Sequence, residues 1–204
     1  MRQPPVTLAD TLRAALETGH RSSPELIGGD VLDEEALAHG VTPAAVLVAV
    51  VDRPEPTVIL TLRPETMRKH PGQVSFPGGR IDPGDDGPVD AALREAEEEI
   101  GLARARVEII GLADPYLTVT GFEVTPVLGI VPPDLELSPH PGEVAAVFEA
   151  PFHHILDPAH QHVRTAMFRG RERTYYEIDW QEQRIWGATA AMIVNLSRRL
   201  ALVA

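Results

Sequence analysis

The sequence predicts an α/β fold in which a sheet is covered by helices on both faces. Three observations carry that expectation. Strand-length apolar runs stand at residues 44–51 and 57–63. One helical pattern with its own start and stop signals follows at 88–100. Further strand candidates come after it, and a long helical pattern at 186–202 closes the chain.

In chain order, residues 8–16 read as an amphipathic helix with Thr7 or Asp10 as its cap. Residues 22–40 are polar and broken, with short helical pieces. The runs 44–51 and 57–63 form strands joined by the turn Asp52-Arg53-Pro54-Glu55-Pro56. Residues 64–73 read as a loop and 74–76 as a short strand leading into a Gly78-Gly79 turn. Beyond the central helix, 107–112, 116–119 and 123–131 are strand candidates. A proline-rich loop at 132–142 precedes a strand at 143–148. Residues 163–168 and 174–178 pair as a hairpin around Gly170. In the last helix, Ile193, Leu196 and Leu200 recur at core spacing, with Asn195, Arg198 and Arg199 on the solvated side. No repeat or linker divides the chain, so residues 1–204 are expected to be one domain, with 1–40 as an N-terminal helical extension.

The central helix carries the chemistry. Pro88 suits a first turn, where its missing N–H costs nothing, and Asp85 and Asp86 lie where a side chain caps free donors. Gly101 suits a left-handed stop. At about 100° per residue, Val89, Leu93, Ala96 and Ile100 make the core stripe, and Glu95, Glu98 and Glu99 cluster elsewhere. Like charges at such spacing cost roughly 0.2–0.5 kcal/mol per pair, a sign that a hard divalent cation reverses. An acidic run alone is ordinarily a solvated face. The preceding glycine pair, which admits close backbone approach, and Arg94, placed to pin the loop through Asp85 or Asp86, point beyond that.

Arg94-Glu95-Ala96-Glu97-Glu98-Glu99-Ile100-Gly101-Leu102, with Gly79 and an acid upstream, resembles the Nudix box. The match departs in having aspartate for the first glutamate and one extra residue between Gly79 and Arg94. Counted forward, Asp85 is the first acid's counterpart; counted back, Asp86 is. Arg63-Pro64-Glu65-Thr66-Met67-Arg68-Lys69-His70-Pro71-Gly72-Gln73-Val74-Ser75-Phe76-Pro77-Gly78-Gly79 resembles the extra signature of the coenzyme A pyrophosphatase branch, and Ile185-Trp186-Gly187-Ala188-Thr189-Ala190 is similar to that branch too.

The resemblance implies an α/β/α sandwich around a mixed sheet and metal-dependent cleavage of coenzyme A or its derivatives to adenosine 3′,5′-bisphosphate and a phosphopantetheine. It implies Mg²⁺ or Mn²⁺ held by Glu95, Glu99 and the Gly78 carbonyl, with Glu98 direct or through water. Gly79, Asp85, Arg94 and Gly101 then have structural roles. For the catalytic base the resemblance offers Glu143, which otherwise reads as a strand-edge surface glutamate, or a helix glutamate such as Glu98. Arg63, Arg68, Lys69, His70 and Arg80 are the expected substrate contacts. Trp186 reads as a packing anchor or an adenine platform, and His153, His154, His160 and His162 as an exposed loop rather than a metal site. Two rivals stand: a Nudix enzyme for NADH or ADP-ribose, and a non-catalytic nucleotide-binding module.

Composition narrows the rest. A formal charge of −12 argues against nonspecific binding to nucleic acid or acidic membranes, so an anionic small molecule must be met by local cations and metal. With no cysteine, disulfides, thiolate nucleophiles and cysteine-ligated zinc are excluded. No signal-like apolar stretch follows Met1, and the apolar run at 44–51 is too short to span a bilayer; a cytoplasmic protein is expected. A homodimer stays open.

Overall fold

The computed structural model describes residues 6–30, 40–67, 70–168 and 170–200. Helix α1 (Leu8–Arg21) is longer than expected and opens with a reciprocal cap: the Asp10 N–H donates to Thr7 Oγ1 and the Thr7 N–H to Asp10 Oδ2, each at 3.1 Å. Both residues weighed as caps thus take part. Of the broken stretch 22–40, residues 31–39 lie outside the described ones.

Strands β1 (Thr42–Val51) and β2 (Thr57–Leu62) centre the main sheet. Their neighbours are β3 (Val74–Ser75), β4 (Gly78–Arg80), β5 (Glu108–Leu112), β6 (Tyr116–Leu117), β7 (Phe122–Val131) and β8 (Ala146–Pro151). The path β3-β2-β1-β7-β5 has β1 parallel to β7 and every other pair antiparallel, so the sheet is mixed, as expected.

Strand alternation builds a core on each face of that sheet. Ala45, Leu47, Ala49 and Val51 of β1 pack against helix α2 (Pro88–Ile100). Ala44, Val48 and Val50 face the other way, into a cluster with Leu12 and Leu16 of α1 and Ile193, Leu196 and Leu200 of helix α4 (Ala188–Leu200). The sandwich is therefore present. The short helix α3 (Phe152–Leu156) adds Phe152 and Ile155 to this second core.

A second sheet, β9 (His162–Phe168), β10 (Arg171–Trp180) and β11 (Gln183–Trp186), extends the expected hairpin by one strand. Trp186 accordingly ends a strand instead of starting the last helix. The final helix departs in another way. Asn195 and Arg199 are buried, not solvated. Asn195 bonds both backbone groups of Ile27, and Arg199 grips Asp114 at 2.6 and 2.8 Å and donates to the Gly19 carbonyl. Their partners are too distant in sequence for helical periodicity to foretell.

Candidate active site

Strands β1 and β2 pair only near their turn, through Val50 and Val51. Farther along, β1 takes β4 instead, with Ala45 opposite Gly79 and Val46 opposite Gly78. The expected glycine turn is thus partly a strand. A Cβ on Gly78 would run into the Ala45 carbonyl oxygen and Val46, and a Cβ on Gly79 would run into the Glu95 carboxylate. These glycines let backbone and carboxylate share one small space.

Helix α2 then delivers its glutamates. Pro88 is in its first turn and Gly101 closes it at φ 69°, as the sequence indicates. Its cap is Gly87 with no side-chain bond, so neither Asp85 nor Asp86 caps it. Asp85 instead receives the Asp82 N–H at 2.7 Å and two bonds from Arg94. Those bonds, the arginine's first, hold its carboxyl down at about 2. Asp86 is exposed and offers only its N–H, to Asp90. The Arg94 pairing thus falls on Asp85 and not on Asp86. The Val89 and Leu93 side chains are only half-buried; the fully buried apolar residues of α2 are Ala91, Ala92, Ala96 and Ile100.

Arg94 also donates to the Arg80 carbonyl at 3.0 Å, to Glu95 at 2.9 Å and to Glu98 at 3.2 Å. Beyond pinning the loop, Arg94 therefore also engages two of the carboxylates expected to face a metal. The three acids do not converge equally. Glu99 is 8 % exposed, and Glu95 is half-buried beside it. The Glu98 side chain is 58 % exposed and leans on Arg94. Among the described residues, no three His, Cys, Asp or Glu side chains stand close enough to form a ready-made metal cluster.

Electrostatics mark Glu99 and Glu95 as the strained pair. Burial pushes the Glu99 carboxyl up to about 7; the neighbouring charges of Glu95 and Glu143 add to this, while the Gly78 N–H at 3.1 Å and Arg63 oppose it. Burial also raises Glu95, with Glu98 and Glu143 adding and Arg94 opposing. A buried and a half-buried carboxylate that repel each other beside the Gly78 backbone fit a hard divalent cation.

Glu143 is not on a strand. It sits exposed in a turn at residues 141–143, and the strand starts at Ala146. Its charge nonetheless reaches both Glu95 and Glu99. Two backbone bonds bring it there: Ser138 N–H to the Ile100 carbonyl and His140 N–H to the Glu99 carbonyl, both at 2.8 Å. Sequence reasoning missed this 138–140 clamp. Its only signal was that the last carbonyls of a helix need donors from somewhere.

Of the expected substrate contacts, Arg63 stands near enough for its charge to act on Glu99, and its Nε is buried with no hydrogen-bond partner among the described residues. His70 is exposed in a left-handed conformation at φ 56°. The Arg80 guanidinium lies over the Phe122 ring, 5.4 Å from its centroid. Arg68 and Lys69 lie outside the described residues. Trp186 is edge-on to Tyr175 and covered by Arg184. His153 and His154 are on α3 rather than a loop, and His154 stacks on His160 at 3.8 Å.

A family model described as the NUDIX domain matches residues 41–170. A protein named "Uncharacterized Nudix hydrolase NudL" from Cronobacter sakazakii is 46 % identical over 157 residues, which are 77 % of this chain and 82 % of that protein. Its namesake from Escherichia coli K12 is 43 % identical over 170 residues, 83 % of this chain and 87 % of that one. Among solved structures, a Nudix hydrolase from M. smegmatis, RenU, aligns with a TM-score of 0.49 and 22 % identity, covering 56 % of this chain and 73 % of that one.

Proposed function

The chain belongs to the Nudix hydrolases, enzymes that act on pyrophosphate bonds of small nucleotide-derived substrates, and from that premise we propose that it hydrolyses coenzyme A or its derivatives to adenosine 3′,5′-bisphosphate and 4′-phosphopantetheine or its acyl form. The observation that carries this reading is Arg63. It opens the segment that resembles the coenzyme A branch signature, its Nε is buried without a partner among the described residues, and its charge acts on the most strained carboxylate of the helix. A buried guanidinium donor lacking an acceptor suits a phosphate oxygen.

In this proposal Glu95 and Glu99 hold the divalent ion, with Glu98 and the Gly78 carbonyl completing its shell. Mg²⁺ and Mn²⁺ are the fitting ions for an all-oxygen donor set. When bound, the ion neutralises charge on the phosphate oxygens and acidifies a water. The water oxygen bonds to one phosphorus, the bridging P–O bond breaks, and the leaving phosphate takes the electron pair. The water's proton passes to a carboxylate. Glu143 suits that role better than Glu98, since Arg94 already engages Glu98. Arg63, Arg68, Lys69, His70 and Arg80 orient the anionic substrate. The chain acts as one domain in the reaction, with residues 1–40 as an extension. Among the described residues, no helix is long and apolar enough to cross a membrane.

The test is product analysis by mass after reaction in ¹⁸O-labelled water with coenzyme A, dephospho-coenzyme A and NADH in parallel. The proposal expects label in one of the two coenzyme A products and a clear preference for the substrate with the 3′-phosphate. Equal turnover of all three would remove coenzyme A as the selected substrate.

A further inference from the structure

We propose that the outer edge of β9 is the surface through which two copies of this chain associate, their β9 strands pairing antiparallel about a twofold axis at Thr165. The second sheet runs β11-β10-β9, and among the described residues nothing pairs with the far side of β9. Such an edge offers a row of backbone donors and acceptors to another strand. Residues 162–167 are all exposed. The charged side chain in that run, Arg164, is held by Glu177 of its own sheet at 3.0 Å and so does not guard the edge.

The apolar pattern selects a second copy as the occupant. Val163 is 57 % exposed and Met167 68 %, and they are two of the five exposed large apolar side chains among the described residues. Four positions apart on a strand, they share one face, with Thr165 midway. An axis at Thr165 sets Val163 of one copy opposite Met167 of the other, twice over. Both apolar side chains are then covered by one isologous contact. An axis at residue 164 would oppose two arginines, and one at 166 would set Val163 against an arginine position. Like charges directly opposite destabilise a pair.

Charge favours the same place. Two copies at −12 repel each other. Residues 162–186 carry five arginines against four acidic residues, so this sheet adds nothing to that repulsion. The product is one continuous six-stranded sheet across the interface. Residues assigned to the reaction take no part, so success or failure here is independent of the catalytic reading.

The experiment is sedimentation velocity of the full chain over a concentration series, with amide hydrogen exchange at each concentration. The expected result is a concentration-dependent dimer with protection gained at 162–168. Val163→Glu alone and Met167→Lys alone should each raise the dimer dissociation constant at least about tenfold. The double variant should recover it, because the introduced charges face each other across the axis. Circular dichroism and coenzyme A turnover check that each variant is folded. A monomer at every concentration, a dimer indifferent to both single changes, or a double variant as weak as the singles would overturn the inference.

Discussion

Arg94 grips Asp85 with two nitrogens, Nε to Oδ1 at 2.8 Å and Nη2 to Oδ2 at 2.9 Å, across nine residues of chain. The same guanidinium touches Glu95 and Glu98, so one side chain joins the loop to both acids. Asp85→Asn should therefore lower the thermal midpoint and slow turnover, whereas Asp86→Ala should change neither. Because the pair holds Asp85 at about 2, below its ordinary 3.8, its stabilisation is present above 3.8 and lost as pH falls through 2. Acid denaturation of the parent and the Asp85→Asn variant should converge across that window.

Glu99 has the opposite sign. Burial sets its carboxyl at about 7, above the ordinary 4.5. A group that holds its proton more tightly when folded stabilises fully below 4.5 and loses that contribution as pH rises through 7. In chelator, the thermal midpoint should fall from about pH 5 to about pH 8, and Glu99→Gln should flatten the fall. The full swing corresponds to about 3 kcal/mol. Adding Mn²⁺ should restore stability at the alkaline end for the parent but not for the variant.

Glu143→Gln, assayed at saturating metal, should lower kcat by roughly 10²–10⁴-fold if this carboxylate takes the water's proton. A near-parental rate would transfer that role to the helix.

Gly79→Ala tests the shared space. The added methyl meets the Glu95 carboxylate, which must turn away, while the backbone conformation of residue 79 tolerates alanine. Mn²⁺ affinity should fall roughly 10–100-fold by titration, with the far-ultraviolet circular dichroism unchanged.

The boundaries of α2 were legible because Pro88 and Gly101 act locally. The alternation of β1 was legible for the same reason, and with it the two-faced sheet. What escaped depends on distant partners. Gly78–Arg80 reads as a turn until β1 supplies its ladder. Asn195 and Arg199 look solvated until Ile27 and Asp114 reach them. How deeply Glu99 is buried is set with the Gly78 backbone, which donates to it from 21 residues upstream. The choice between Asp85 and Asp86 turned on the reach of one guanidinium, which counting residues does not measure.

The clamp at residues 138–140 makes the helix's final turn a hanger for the segment that carries Glu143. Because both suspending carbonyls belong to Glu99 and Ile100, inserting a single residue in the helix ahead of Glu99 would swing that segment by about 100° around the helix axis. Glu143 and Glu99 are thus geared together, so insertions and deletions at this corner should disable the enzyme even where every acid is retained.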